Sequence, residues 1–457
     1  TGLDDPIRAA LLVGLGDAQR QAGDPVHRQT LLDAAHLADR LGAADLLVRA
    51  ALANHRGLPS ASGAVDEERV AVLELAIEAA GPDDSTARAN LLSTLALELT
   101  FGRDVSRRTS LAHEAQAMAL RLGDDVVVLR VLNTTLMALL VPEALDEVTA
   151  MSRQALSLAA KVGDPVARFW AAVGELMVQT YRLDGEAIDA ALALMDEMVT
   201  EIGQPSLRWL LQSSQSWRAM VAGDADRSEA LATEALQLGN DTGQPDAFAM
   251  FGGHILAIRW MQGRQSETVS IVTATVADNP GIPAFKGSMA QQLASIGSPD
   301  EARRLLADAM GEDFYVDAHD YLWTTTATLF ALAAVKVEDV AAAARLWELL
   351  EPWADQGLAT LATCTGSVNL YLGPLAALLG KSDEAERYFS EADALHRRLP
   401  APFYVGLNNV GCARFLLARD NPGDAERART LLDEAGDLAE RHGFGDIERS
   451  VVDLRNP

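Results

Sequence analysis

Hydrophobic positions recur along the middle of this chain with a period of 40 residues. Three sets of apolar side chains keep that spacing: Val141, Tyr181, Val221 and Met261; Met151, Ala191, Leu231 and Ile271; Leu158, Met198 and Leu238. Self-similarity at a fixed period of this length is typical of a repeat array, in which each unit buries its apolar face against the next. The pattern therefore predicts a row of similar units.

Turn-forming residues mark the ends of each unit. A glycine recurs every 40 residues, and a proline follows the later ones by two positions: Gly123, Gly163, Gly203 and Gly243; Pro165, Pro205 and Pro245. Glycine just past a helix end and proline in the first turn of the next helix stop one helix and start another. A second turn signal lies near the middle of each unit, as at Asp184-Gly185 and Gly223-Asp224. Each unit is therefore predicted to be a helical hairpin.

The predicted fold is all-α. Period-two runs rich in Val, Ile and Thr are not found in the sequence, so we predict no strands. The hairpin pattern extends less regularly toward both ends and gives about eleven hairpins at 40 residues each. We expect one continuous helical-repeat domain over residues 1–457, most regular in 123–280, less regular in 281–366, and regular again in the C-terminal repeats 367–457.

Two segments interrupt the repeat. Residues 354–367 (ADQGLATLATCTGS) are small and rich in hydroxyl groups. They are interpreted either as a loop that borders the inner surface or, preferably, as an elongated turn. Residues 279–285 (NPGIPAF) are predicted to form a proline-punctuated kink that slightly changes the pitch of the array.

Charge and composition narrow the classes of partner. The 65 acidic and 38 basic residues give a net charge of −27, which disfavours direct binding to nucleic acid because a polyanion is repelled. No uncharged apolar run reaches the roughly 18 residues that a membrane span requires, and the first residues lack the features of a signal peptide. Two cysteines, Cys364 and Cys412, are too few for a disulfide framework. We therefore expect a cytoplasmic protein with no membrane partner.

Motifs that carry catalysis or metal binding are not recognised in the sequence. His113-Glu114 has no second histidine four residues after the first, and no G-x-S-x-G motif occurs. Acidic pairs such as Asp124-Asp125 lie at predicted helix starts, where they are explained by capping. We predict no catalytic residues, no metal site and no cofactor, and hence no enzymatic activity.

The candidate binding residues lie on the first helices of the hairpins. They are five tryptophans and three arginines: Trp170, Trp209, Trp217, Trp260 and Trp323; Arg168, Arg208 and Arg259. In stacked hairpins the first helix generally lines the concave face, where an aromatic floor with arginines suits an anionic or planar ligand. In the other interpretation, which we prefer for so acidic a chain, the tryptophans are core residues between repeats and the arginines pair with the surplus carboxylates.

Several phrases carry a family resemblance: residues 31–42 (LLDAAHLADRLG), 95–99 (LALEL), 279–285 and 371–380 (YLGPLAALLG). They resemble the C-terminal tetratricopeptide-like region of large actinobacterial regulators, in which a STAND-type ATPase module comes first and is joined to a LuxR-type DNA-binding or adenylate/guanylate cyclase domain. The resemblance extends over about residues 5–442. It implies a tetratricopeptide-like α-solenoid wound as a right-handed superhelix. The nucleotide-binding motif G-x-x-x-x-G-K-[ST] is not in this sequence, so the resemblance implies the sensor or scaffold portion.

Three hypotheses about function follow. The preferred one is a regulatory scaffold that binds a peptide, protein or small molecule in its concave groove and restrains a neighbouring ATPase or effector module of the same polypeptide. The second is a freestanding tetratricopeptide-type adaptor that recruits a protein partner. The third is an enzyme built on a helical-repeat scaffold, which would need a cluster of perturbed titratable groups in a closed pocket. The oligomeric state stays open.

Overall fold

The computed structural model describes residues 5–456, apart from the side chain of Ala318. The predicted domain 1–457 therefore extends outside the described residues at both ends. Within the described part, 23 α-helices pair in chain order into eleven hairpins, and one helix follows the last hairpin. The prediction of an all-helical repeat solenoid with about eleven hairpins is confirmed.

The helix bounds show how regular the hairpins are. The first six hairpins are α1 Asp5–Ala22 with α2 His27–Arg40, α3 Ala44–Ala53 with α4 Glu67–Ala80, α5 Thr86–Glu98 with α6 Val105–Leu122, α7 Asp125–Leu139 with α8 Leu145–Val162, α9 Pro165–Arg182 with α10 Gly185–Ile202, and α11 Pro205–Val221 with α12 Ala225–Asp241. The remaining helices are α13 Ala247–Met261 with α14 Val269–Asp278, α15 Pro283–Ser295 with α16 Pro299–Gly311, α17 Trp323–Lys336 with α18 Val340–Leu350, α19 Asn369–Leu378 with α20 Ser382–Arg398, α21 Pro402–Arg419 with α22 Asp424–His442, and the terminal α23 Gly445–Arg455.

Local capping explains where these helices end. Gly123, Gly163 and Gly203 each follow a helix with φ near +70°, a left-handed conformation that glycine adopts at little cost. Asp124 and Asp164 then accept hydrogen bonds from the backbone N–H groups two residues later, at 2.8 and 2.9 Å. The boundaries at Gly123 and Gly163 therefore combine a C-terminal glycine with a side-chain cap of the next helix, whereas Gln204 after Gly203 makes no such hydrogen bond.

The array winds so tightly that its successive turns touch. Arg398 donates a 2.7 Å hydrogen bond to the carbonyl of Arg182, 216 residues earlier. Gln356 donates to the carbonyl of Pro142, 214 residues earlier, at 3.0 Å. A separation of this size corresponds to about five hairpins, so one superhelical turn takes about five hairpins before the chain lies against itself. The handedness of the winding stays a prediction.

The inside of the first superhelical turn is occupied by the loop 54–66, which joins α3 to α4. Gly57 lies in this loop with φ +85°, and a Cβ atom there would lie 1.9 Å from Cζ2 of Trp170 on α9. Gly63 lies against Gly281 so closely that a Cβ at Gly281 would stand 1.9 Å from the Gly63 carbonyl oxygen. Residues 279–285 therefore do more than kink the chain, because they form a contact between the two turns.

The inside of the second turn holds a β-hairpin, so the prediction of no strands is wrong here. Strands β1 Gly357–Ala359 and β2 Cys364–Ser367 pair antiparallel, and all seven of their residues are buried. The Tyr404 hydroxyl donates to the carbonyl of Cys364 at 2.6 Å, and the Ser367 N–H donates to Nε2 of His396 at 3.0 Å. The preferred interpretation of 354–367 as an elongated turn is also wrong. Strands this short, buried on both faces, give no period-two signal in the sequence.

The buried apolar residues form two hydrophobic cores along the superhelix. A continuous hydrophobic core extends from Leu58 to Val451, and a second, smaller core lies among the first three hairpins. None of the helices within residues 5–456 is both long enough and apolar enough to cross a lipid bilayer.

Candidate functional site

The tryptophans predicted as a binding floor are mostly buried. Trp209 and Trp217 on α11 are each 2% exposed, and Trp260 on α13 and Trp323 on α17 are 8% and 5% exposed. Trp170 is half-buried, with its ring against the backbone of Gly57. These five side chains pack against core residues and loop 54–66 and do not form one open surface.

The three predicted arginines are in different environments. Arg259 makes a bidentate ion pair with Glu229 at 2.5 and 2.6 Å, and its donated hydrogen bonds lower the pKa of that carboxyl. Arg168 is half-buried and Arg208 is exposed, and neither forms an ion pair with the described residues. Of the eight predicted site residues, the structure places one, Trp260, in the pocket described next.

A mainly apolar pocket lies inside the second superhelical turn. Its cavity volume is about 120 Å³, and the pocket is partly open to solvent. Helices α13, α15 and α17 form its walls, residues 360–365 of the β-hairpin segment cover one side, and Ser62 of loop 54–66 reaches it from the first turn. The apolar walls include Met250, Leu256, Trp260, Phe285, Leu329 and Leu361.

Small side chains leave the space between these helices. Gly253 and Ala257 on α13 and Ser288 on α15 line the pocket. A Cβ at Gly253 would meet the Cβ of Ala362 at 3.5 Å, which is ordinary contact, so the glycine faces the hairpin without steric conflict. Part of the signal for this site is present in the sequence, because α13 and α17 are mainly apolar around most of their circumference. Helices of that kind are enclosed on every face.

The two segments that interrupt the repeat meet at this pocket. Ile282 and Phe285 from the 279–285 segment lie on one side, and Thr360 and Thr363 from the hairpin segment lie on another. The Thr360 and Thr363 hydroxyls lie 3.1 Å apart and hydrogen-bond to each other. The irregular parts of the sequence therefore form part of the pocket wall.

The pocket lining carries almost no free charge. Among the described lining residues, Asp246 is the single charged side chain. It forms an ion pair with Arg56 and accepts a 2.8 Å hydrogen bond from the N–H of Ser62. Burial raises the pKa of Tyr321 well above its ordinary value, so this hydroxyl is uncharged at neutral pH. The cavity therefore presents a neutral surface to a ligand.

An acidic group lies at the edge of the pocket, directly before α17. Burial raises the pKa of Asp320 to about 6, although its Oδ1 accepts a 2.8 Å hydrogen bond from the N–H of Leu322. Arg108, which is 1% exposed, opposes that shift through its charge. Asp320 therefore titrates near neutral pH beside two residues of the lining, Tyr321 and Leu322.

Nucleophiles and metal ligands are not assembled at this site. Burial raises the pKa of Cys364 and of Cys412 to about 11, which keeps both thiols protonated and unreactive at neutral pH. Over residues 5–456, no group of three or more His, Cys, Asp or Glu side chains is placed to hold a metal ion. The mainly apolar lining is suited to non-covalent contacts with an uncharged molecule.

Comparison with known proteins gives no family assignment for this chain. No protein-family model matches the chain, and no curated protein is significantly similar to it.

Proposed function

We propose that this chain is a non-catalytic regulatory scaffold whose interior pocket binds a neutral, predominantly apolar small molecule. In the preferred form of the proposal, it is the cytoplasmic sensor portion of a larger signalling ATPase or transcriptional regulator, with a tetratricopeptide-like solenoid next to an ATPase or effector module. The observation that carries the proposal is the apolar pocket between α13, α15 and α17, with a cavity volume of about 120 Å³. An apolar cavity of about 150 Å³ can hold a molecule the size of benzene, and the open side of this pocket leaves room for a larger ligand.

The position of the pocket supports a regulatory role. Its lining comes from both superhelical turns, since Ser62 belongs to the first and Phe285 and Thr363 to the second. A ligand that contacts both turns stabilises the arrangement in which they touch, in proportion to its preference for that arrangement. Occupancy of the pocket thereby changes how rigid the whole scaffold is, and a neighbouring module can respond to that change.

Filling the pocket tests the binding function. The variant Gly253→Leu places a branched side chain in the cavity, and Gly14→Leu adds the same side chain to an exposed site on α1 that has no neighbour within 4 Å. With the neutral dye Nile red as the ligand, we expect Gly253→Leu to weaken binding about tenfold or more and Gly14→Leu to leave it unchanged. Equal dye affinity in wild type and folded Gly253→Leu contradicts the proposed site.

Co-purification tests the proposed regulatory role. The chain is mixed with the ATPase module of its own full-length polypeptide, without nucleotide, with ADP and with ATP. We expect binding in at least one state, and we expect that a pocket ligand changes its affinity because binding free energies are coupled reciprocally. No binding in all three states contradicts the regulatory scaffold and favours the freestanding adaptor.

The adaptor has one structural observation in its favour. Ile7, Leu11 and Leu15 on α1 are 52%, 57% and 51% exposed and lie on one face of the helix at a spacing of four residues. An exposed apolar stripe of this kind suits a helix of a protein partner. Leu11→Glu is expected to abolish recruitment if that function is correct, and to leave Nile red binding in the pocket unchanged.

A further inference from the structure

Two threonine hydroxyls in the pocket wall have no hydrogen-bond partner among the residues that the structure describes. They belong to Thr325 on α17, which is 4% exposed, and Thr365 on β2, which is 8% exposed. A buried hydroxyl without a partner loses its hydrogen bonds to water and gains nothing in return, so native proteins rarely leave one unpaired.

Neighbouring threonines show how a buried hydroxyl usually finds a hydrogen-bond partner. Thr326, the next residue on α17, donates to the carbonyl of Leu322 at 2.9 Å, and Thr328 donates to the carbonyl of Thr325 at 2.9 Å. In the hairpin segment the Thr360 and Thr363 hydroxyls bond to each other. A helix therefore readily satisfies a threonine through its own backbone, yet Thr325 does not make that bond.

We infer that the hydroxyls of Thr325 and Thr365 bind a polar group of the pocket's ligand, and that this ligand is a neutral, mainly apolar molecule carrying a carbonyl or hydroxyl group. Ketones, esters, lactones and alcohols belong to this class. A threonine hydroxyl can both donate to a carbonyl and accept from a hydroxyl. The apolar body of the ligand packs against Met250, Trp260 and Phe285. The inference rests on the proposed binding function and adds the chemical class of the ligand.

The charge distribution in the pocket wall excludes charged molecules from this class of ligand. The one charged lining residue, Asp246, is already paired with Arg56, and the described lining offers no cation to a carboxylate or phosphate. An anionic ligand would therefore be desolvated without a counter-charge and would face the carboxylate of Asp246. A cationic ligand would compete with Arg56 for that carboxylate. The expectation of an anionic ligand, drawn from the arginines on the first helices, does not extend to this pocket.

A matched set of ligands tests the inference. The competition of 2-octanone, n-octane and octanoate with Nile red is measured on the full chain, for wild type, Thr325→Val, Thr365→Val and the double variant. Valine keeps the shape of threonine and replaces the hydroxyl by a methyl group. We expect wild type to prefer 2-octanone to n-octane by about tenfold, and the double variant to lose most of that preference while it keeps its affinity for n-octane.

Thr328→Val serves as the buried control, because Thr328 lies on the same helix but outside the pocket lining and bonds to its own backbone. It is expected to keep the preference for the ketone. If the valine variants keep that preference as well, or if octanoate binds more tightly than 2-octanone, the inference is overturned while the binding function stands. If wild type binds neither Nile red nor any of the three ligands, the proposed function itself fails.

Discussion

Arg56 in loop 54–66 and Asp246 at the start of α13 form an ion pair across the two superhelical turns, with 13% and 6% of their side chains exposed. The Asp246 carboxylate also accepts a hydrogen bond from the N–H of Ser62, a residue that lines the pocket. This pair therefore fixes the loop of the first turn against the pocket of the second. Because both charges are buried, each depends on the other for its stability in the fold.

Removal of one partner is expected to destabilise the protein strongly. Arg56→Met leaves the Asp246 carboxylate buried without its counter-charge and should lower the free energy of unfolding by about 3–5 kcal/mol. Urea denaturation checks this value. The matched control is Arg121→Met, which breaks an exposed pair with Asp84 and should leave the unfolding midpoint nearly unchanged. Similar midpoints for the two variants would show that the turns do not depend on this pair.

The close approach of Gly57 to Trp170 predicts a difference between two alanine variants. Gly57 and Gly42 both have positive φ, +85° and +64°, but only Gly57 has a side chain within 4 Å of the added Cβ. Gly42→Ala should cost about 1–2 kcal/mol of backbone strain, and Gly57→Ala should cost clearly more because the Trp170 ring must move. Thermal unfolding of both variants measures the difference. In a Trp170→Leu background, the additional cost at Gly57 should fall, and an unchanged cost contradicts the contact.

The burial of His396 predicts a loss of stability in acid. Burial lowers the pKa of His396 to about 3, and its neutral Nε2 accepts the N–H of Ser367 on β2. The unfolded chain takes up the proton near pH 6.5 and the folded chain does not. Stability from this group is therefore complete above pH 6.5 and declines as the pH falls toward 3, by about 2 kcal/mol at pH 5.

The pH effect is best measured as a difference between proteins. Denaturation curves at pH 7 and pH 5 are compared for wild type and His396→Gln, which keeps an acceptor and removes the titration. Asp320 acts in the opposite direction, because its pKa is raised to about 6 and its protonation favours the fold as the pH falls from 6 to 4. That contribution is common to both proteins and cancels. Equal losses of stability in wild type and variant would exclude His396 as the cause.

Substitutions on α11 separate core packing from surface recognition. Trp209, which is 2% exposed, fills space beside Gly239, while its neighbour Arg208 is exposed. Trp209→Ala should lower the free energy of unfolding by about 3–5 kcal/mol because it leaves a large cavity, and Arg208→Ala should change it by less than about 0.5 kcal/mol. Chemical denaturation measures both values. A small effect of Trp209→Ala would mean that this ring is not part of the core.

Local interactions determine the part of this protein that the sequence predicts. A glycine with positive φ such as Gly163, followed by the cap at Asp164, stops one helix and starts the next through bonds within a few residues. The apolar columns at a period of 40 then pair the helices into hairpins, because each hairpin can bury its apolar face only against its neighbours. The most regular hairpins, within residues 123–280, follow from these two signals.

Only the tertiary structure decides what lies inside the superhelix. The winding adds a small rotation at every hairpin, and the sum of about five such rotations brings Arg56 to Asp246 and Gly63 to Gly281. No local sequence motif encodes the rotation that accumulates over several hairpins. The β-hairpin was also missed, since short strands that are buried on both faces show no alternation. The pocket exists because the winding brings the two irregular segments together, and the sequence by itself shows them only as interruptions of the repeat.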